Sequence, residues 1–240
     1  LRKKGLAKAN KKSSREAKEG AIGIYSNKLI SIILQINTET DFAAKNETFL
    51  DFMDEIGSYS LESKKVDLTL DIFNEMTFNN RLISDTFKDI IAKIGENIVL
   101  TKLKIIENNN NEMISSYIHN CYRNNIGKIA VVLKSEVKEI NEESKLLGKN
   151  LCMHIAASKP LALDIDNLDS KLIEKEKLVQ LETIKSSGKP ENIIEKILEG
   201  KMKKFYSEST LLHQSYILDP DKTINNVKVK GTIDLNFSRD

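Results

Sequence analysis

Cysteine is scarce in this chain. Cys121 and Cys152 are the two among 240 residues, too few for a disulfide framework, and that usage fits a reducing compartment. His119 with Cys121, and Cys152 with His154, are each spaced by one residue, but neither has a second pair at zinc-like spacing, so no metal site is expected. The ten glycines are scattered, which excludes a Gly-rich phosphate cradle. No Gly-x-Ser-x-Gly elbow is present. No apolar run approaches the ~20 residues of a membrane span, and no signal peptide is expected. A cytoplasmic protein is expected. Neither sign of charge dominates: Lys plus Arg number 37 against 35 Asp plus Glu, so no global field draws the chain onto nucleic acid. No catalytic residue, cofactor or metal is expected. A chain with core-forming patterns and no chemistry of its own is expected to act on another macromolecule rather than as an enzyme.

What is present reads as alternating strands and helices. Residues 1–20 carry eight Lys or Arg against Glu16 and Glu19; rich in helix formers and without aromatics to stack on bases, they read as a basic helical connector. Ala21–Tyr25 and Leu29–Ile36 read as paired strands broken at Ser26-Asn27, and the β-branched run of the second reads as buried. The corner Asn37–Lys45 follows, with Thr40 or Asp41 where an N-cap belongs. A helix over about 44–58 then places Phe49, Phe52, Met53 and Ile56 on one face. A second amphipathic helix is expected near 80–94, stopped by Gly95, then a strand over Ile98–Ile106. The polar run Glu107–Glu112 reads as a boundary between an N-terminal subdomain, 21–107, and a C-terminal one, 113–240.

Beyond that boundary the pattern returns. A shift of 99 positions lays Ile30, Ile32, Ile33 and Leu34 on Ile129, Val131, Val132 and Leu133, and Phe52, Met53 and Ile56 on Leu151, Cys152 and Ile155. Strand followed by helix at constant offset predicts a duplicated α+β unit: two related subdomains, each a small antiparallel sheet covered by helices. The copies differ at the corner, where Asp41-Phe42 falls on Ile140-Asn141. A pair needed only to build the corner is needed twice, so Phe42 is expected at the surface rather than stapled under its helix. Residues 166–206 interrupt the second unit. Ser170 can cap a helix to Ser187, Gly188 ends it, and Pro190 opens the next, which predicts a helical hairpin. Gln214–Leu218 and Val227–Phe237 read as strands flanking an Asp219-Pro220-Asp221 turn.

Thr40-Asp41-Phe42-Ala43-Ala44-Lys45-Asn46-Glu47 resembles the signature of the elongation factor Ts family, with Ala43 replacing the more usual valine. Ala92-Lys-Ile-Gly-Glu-Asn97, Met153-His-Ile-Ala-Ala-Ser-Lys-Pro160, Ser187-Gly-Lys-Pro190 and Glu199-Gly-Lys-Met-Lys-Lys-Phe205 resemble its recurring segments. So do Gln214 near Asp219-Pro220, and Thr223, in the family's order and over nearly the whole chain. One departure lies after Tyr117-Ile-His119, where Asn120-Cys-Tyr-Arg-Asn-Asn125 stands in place of glycines. Leu1-Arg-Lys-Lys-Gly5 looks like the tail of the family's small N-terminal helical module, most of which is then expected to be missing.

The resemblance implies nucleotide exchange on elongation factor Tu. Thr40, Asp41, Phe42 and Ala43 are then the partner-binding residues that disturb its Mg²⁺ site, and His119 is a candidate further contact. The partner is implied in its GDP-bound and nucleotide-free forms, with no direct nucleic acid and no membrane. The helical hairpin is a candidate surface for a higher-order complex. The alternative is a ribosome- or RNA-associated module that uses the basic residues 1–20.

Overall fold

A computed structural model describes residues 12–63, 68–109, 112–137, 139–188, 190–227 and 233–234. The chain divides into two compact units, Leu1–Asn110 with Ser116–Val131, and Asn111–Ser115 with Val132–Asp240. The polar run Glu107–Glu112 lies at the division, and residues 116–131 return to the first unit. The remnant of a front module expected at Leu1–Gly5 lies outside the described residues.

In the first unit, β1 (Glu19–Ser26) and β2 (Ile30–Thr38) pair antiparallel in full register, Glu19 opposite Thr38 and Ser26 opposite Ser31. β2 also pairs antiparallel with β5 (Ile98–Glu107), with a bulge between Gln35 and Ile36. As the central strand it buries Ile30 and Ser31 at its start and then Ile32, Leu34, Ile36 and Thr38 in alternation, the period of two that a pleated strand imposes. Helices cover that face: a one-turn α1 (Asp41–Ala44), then α2 (Glu47–Glu62), α3 (Leu70–Glu75) and α4 (Ile83–Ile94). A small hairpin of β3 (Thr77–Phe78) and β4 (Arg81–Leu82) joins the last two. Phe49, Met53 and Ile56 of α2, Phe73 of α3 and Ile83 of α4 are fully buried in one core with Ile32, Leu34 and Ile36. Each such side chain contributes about 1.5–3 kcal/mol by leaving water. Phe52 and Phe87 meet edge-to-face at 5.0 Å, locking α2 to α4. Gly95 ends α4 with φ 90, the left-handed conformation that its missing Cβ permits.

β6 (Glu112–Arg123) and β7 (Ile126–Glu136) follow, joined at Asn124-Asn125. Within the first unit β7 pairs with β1 through Ile22–Gly127 and Gly23–Ile126. The chain therefore carries a mixed helix-and-strand, antiparallel architecture as expected. In the first unit the strand order is β7-β1-β2-β5, with β6 on β7. In the second unit the later part of β7 pairs antiparallel with β10 (Ile233–Asp234), Ile233 opposite Ser135 and Asp234 opposite Lys134.

In the second unit α5 (Glu142–Ser158) buries Leu151, Cys152 and Ile155, the positions that the 99-residue shift sets against the buried Phe52, Met53 and Ile56. Gly148 lets α5 approach β6, because a Cβ there would lie 2.1 Å from Ser115 Oγ. The helical hairpin is α6 (Ser170–Ser186) and α7 (Glu191–Ser209). Asp169, not Ser170, caps α6, accepting the Lys171 N–H at 2.9 Å from an extended backbone. The end of the chain departs from expectation. The turn falls at Ile217-Leu218, and Asp219–Thr223 forms β9 against β8 (Ser215–Tyr216). Pro220 is tolerated there because a two-stranded hairpin consists of edges. Of the strand expected over Val227–Phe237, Ile233–Asp234 is described as strand and most of the rest lies outside the described residues.

Residues 13–18, expected as helix, run as turn, bend and irregular backbone. Their carbonyls are taken by asparagines of the folded unit: Asn97 Nδ2 donates to Arg15 O at 2.6 Å, and Asn37 Nδ2 to Ala17 O at 3.0 Å. Carbonyls engaged in this way do not serve an i→i+4 ladder. Among the described residues no helix is long and apolar enough to cross a membrane.

Candidate functional site

The corner after β2 is built differently from a simple strand-to-helix turn. Thr40 has extended backbone angles, and its Oγ1 accepts the Ala43 N–H at 3.3 Å, capping α1. The helix then breaks at Lys45, and Asn46 restarts the chain as α2 by accepting the Thr48 N–H at 2.9 Å. The helix expected over about 44–58 runs over Glu47–Glu62, and a separate turn precedes it, capped by Thr40 and carrying Asp41, Phe42 and Ala43. That turn is inverted in polarity: Ala43 and Ala44 point into the core while Phe42 is 83% exposed, the most exposed large hydrophobic side chain among the described residues. In the second unit the single residue Asn141 caps α5 in a reciprocal box with Ser144, and no extra turn intervenes.

One turn of helix does not hold itself together, since nucleation costs more than a single turn returns. Tertiary contacts hold this one. Glu96, just past Gly95, accepts from the Thr40 N–H at 2.9 Å and from its hydroxyl at 2.7 Å. In the reverse direction Glu39 accepts the Asn97 N–H at 2.6 Å and pairs with Arg15 at 3.6 Å. Thr38 Oγ1 donates to Thr40 O at 2.7 Å. The segment Ala92–Asn97 is therefore the support of Thr40–Glu47. Sequence reasoning noted both stretches but gave Glu96 and Glu39 no role, because no local signal links positions 56 residues apart.

Asp41 accepts from Lys45 Nζ at 2.9 Å one turn on, and this hydrogen bond holds its carboxyl below the usual carboxylate range while raising the Lys45 ammonium. Lys45 also lies over the Tyr122 ring, 5.9 Å from its centre. Of the four candidates, Thr40 and Phe42 are exposed and Asp41 is half-buried. Thr40 spends its hydroxyl on Glu96 and Ala43, and Ala43 is buried.

His119 lies on β6, five residues before the Asn124-Asn125 turn, exposed and 3.0 Å from Tyr117 Oη through Nδ1. The stretch that departs from the family's glycines has its own work. Arg123 donates to Asp51 at 2.6 Å and Asp54 at 2.8 Å and pairs with Glu47, and these three carboxylates, Asp51 first, hold its guanidinium above its ordinary pKa. Asn125 Nδ2 adds a bond to Asp54 at 2.9 Å. The end of this hairpin is thereby fastened to α2, the helix that follows the candidate turn. Among the basic residues described before β1, Lys12 donates to Gly95 O, Arg15 pairs with Glu39 and Lys18 with Glu16.

In the second unit His154 is fully buried. Its Nδ1 accepts the Ile217 N–H at 3.3 Å, which assigns the proton to Nε2, donated to Gln214 Oε1 at 2.9 Å. Burial pushes its pKa down, so the ring is held neutral. Both nitrogens are spoken for. Burial pushes the neighbouring Cys152 thiol up to about 12, whereas Cys121 is exposed. A disulfide-exchange reagent at neutral pH is expected to titrate one thiol rapidly and the second only on unfolding, since thiolate and access are both required. Loss of the fast thiol in Cys121→Ser is the check, and a second fast thiol in that variant contradicts the burial.

Comparison with known proteins adds the following. A family model described as Elongation factor TS matches residues 39–235. Elongation factor Ts of Allorhizobium ampelinum is 39% identical over 229 residues, covering 93% of this chain and 72% of that protein. Elongation factor Ts of Paracoccus denitrificans is 40% identical over 226 residues, covering 93% and 73%. Elongation factor Ts of Bartonella henselae is 39% identical over 229 residues, covering 94% and 73%.

Proposed function

The chain belongs to the elongation factor Ts family of translation elongation factors, and from that premise we propose that it releases GDP from elongation factor Tu by means of the turn at Asp41-Phe42. The observation that carries the reading is the inverted turn: alanines face the core and a phenylalanine faces water. An exposed phenylalanine forgoes about 1.5–3 kcal/mol that burial would supply, and a partner can recover it. On this reading Phe42 wedges between helices of the partner's GTPase domain. Asp41, with its loop, disturbs the partner's Mg²⁺ environment. With the ion displaced, the phosphates of GDP lose their largest neutralising charge, and the nucleotide leaves.

This activity requires no acid, base or covalent intermediate from the chain, and in that sense it is not an enzyme. It requires tighter binding to the nucleotide-free partner than to the GDP-bound one. By linkage, GDP weakens the chain's own binding by the same factor. His119, exposed on β6, is a further surface candidate.

Catalytic amounts of the chain are expected to accelerate release of labelled GDP from elongation factor Tu, and excess GDP is expected to dissociate the complex. Release at the intrinsic rate even with stoichiometric chain would overturn the assignment.

A further inference from the structure

Asp41 and Phe42 ride on a turn too short to position itself, and the side chain that fixes its first residue comes from the far end of α4. We infer that Glu96 is a positioning residue for nucleotide exchange: its carboxylate orients Thr40 so that α1 presents Asp41 and Phe42 in one fixed pose. The inference rests on the exchange reading and adds a residue to it. The geometry is specific. Both Glu96 oxygens are committed to Thr40, one to the backbone N–H at 2.9 Å and one to the hydroxyl at 2.7 Å. A hydroxyl has a single proton to give. Because Glu96 takes it, Thr40 Oγ1 turns a lone pair toward the Ala43 N–H, the bond that caps the turn. Glu96 thus sets the capping role of Thr40, and the cap sets where the next two side chains point.

The reverse link, Glu39 to the Asn97 N–H, keeps residues 38–40 against residues 95–97. It leaves the corner in place when Glu96 is changed. A Glu96 variant is therefore expected to keep the fold and lose the pose, because the core under α1, Ala43 and Ala44, is untouched. Misplacement of a contact group by about an ångström can cost up to about a hundredfold, and partial loss of a pose correspondingly less.

The experiment is GDP release from elongation factor Tu at saturating chain, for wild type, Glu96→Ala, Thr40→Val, Thr40→Ser and the double variant Glu96→Ala with Thr40→Val. Glu96→Ala and Thr40→Val are each expected to slow release about tenfold. The double variant is expected to be no slower than either, since the two act as one unit. Thr40→Ser, which keeps the hydroxyl, is expected to restore most of the rate. Circular dichroism at the assay temperature is expected to show all five chains folded. Multiplicative losses, or Glu96→Ala at the wild-type rate, overturn the inference while the exchange reading stands. Loss of rate that only tracks a loss of folded chain overturns it as well. A wild-type chain that leaves GDP release at its intrinsic rate overturns the exchange reading first, and the inference with it.

Discussion

Phe42→Ala is expected to slow GDP release from elongation factor Tu by about thirtyfold or more while the melting temperature of the free chain stays nearly unchanged. The two halves of this result come from one number. At 83% exposure the ring contributes little to the folded state, and truncating a surface side chain usually costs within ~0.5 kcal/mol. On the proposed reading the same ring becomes the buried aromatic anchor of the complex. Anchors of that kind are worth ≥ ~2 kcal/mol, or about thirtyfold in rate when the interaction is made on the way to release. The comparison within the chain is Phe49→Ala, seven positions on and fully buried. There the cost should fall on stability, roughly 3–5 kcal/mol. Asp41→Ala should follow Phe42→Ala in separating exchange from stability. Thermal melts beside a stopped-flow release assay decide the matter. A large drop in melting temperature for Phe42→Ala with normal exchange means that the ring packs under its own helix, and the proposed mechanism falls.

The second large effect is expected at His154, and it falls on stability. His154→Ala removes a fully buried ring and strands two partners, Gln214 Oε1 and the Ile217 N–H. A buried polar group left unpaired costs about 1–3 kcal/mol, and the cavity adds to that. A loss of roughly 3–5 kcal/mol in chemical denaturation is therefore expected. The same residue makes stability depend on pH. Its folded pKa lies below the ordinary value near 6.5, because burial disfavours the charged ring. The unfolded chain then binds the proton more readily. The contribution is complete above about pH 6.5 and is lost as pH falls from there through the lowered folded value. Denaturation midpoints for wild type should decline over that window and those of a His154→Gln variant should decline less. Parallel profiles for the two chains would remove His154 as the source.

The legibility of these features in the sequence followed their range. The alternation of β2, the buried face of α2 and the stop at Gly95 are local, and each follows from a period or a backbone angle that a few residues dictate. The 99-residue shift even carried burial across the copies, from Phe52, Met53 and Ile56 to Leu151, Cys152 and Ile155. The exposure of Phe42 was legible through the same shift, because Asn141 shows what the corner needs when no aromatic is asked of it. The break at Lys45 was not, since Ala43, Ala44 and Lys45 are all good helix formers and only the second cap at Asn46 divides them. Glu96 on Thr40 and Arg123 on Asp51 and Asp54 were out of reach for another reason. Polar pairs 56 to 72 residues apart leave no periodic trace. The two-stranded hairpin at Ser215–Thr223 was misplaced because Asp219-Pro220-Asp221 has turn chemistry, while the hydrogen bond from the Ile217 N–H to His154 fixes the bend two residues earlier.

The return of residues 116–131 to the first unit has a consequence for how the chain acquires its structure as it leaves the ribosome. The strands that close that unit, β1 and β7, meet at Ile22–Gly127 and Gly23–Ile126, on the order of a hundred residues apart, a separation whose closure entropy is met only when both ends are available. Domains otherwise tend to fold from the N-terminus as they are synthesised. Here β1, β2, β5 and their helices can assemble early, but the free edge of β1 stays open, and Asp51 and Asp54 stay without Arg123, until the hairpin has been made. An unpaired edge beside a formed core is the element most prone to pair with another chain. The interval between the emergence of Glu107 from the ribosome and that of Val131 is thus a window in which a nascent chain of this fold is open to misassembly.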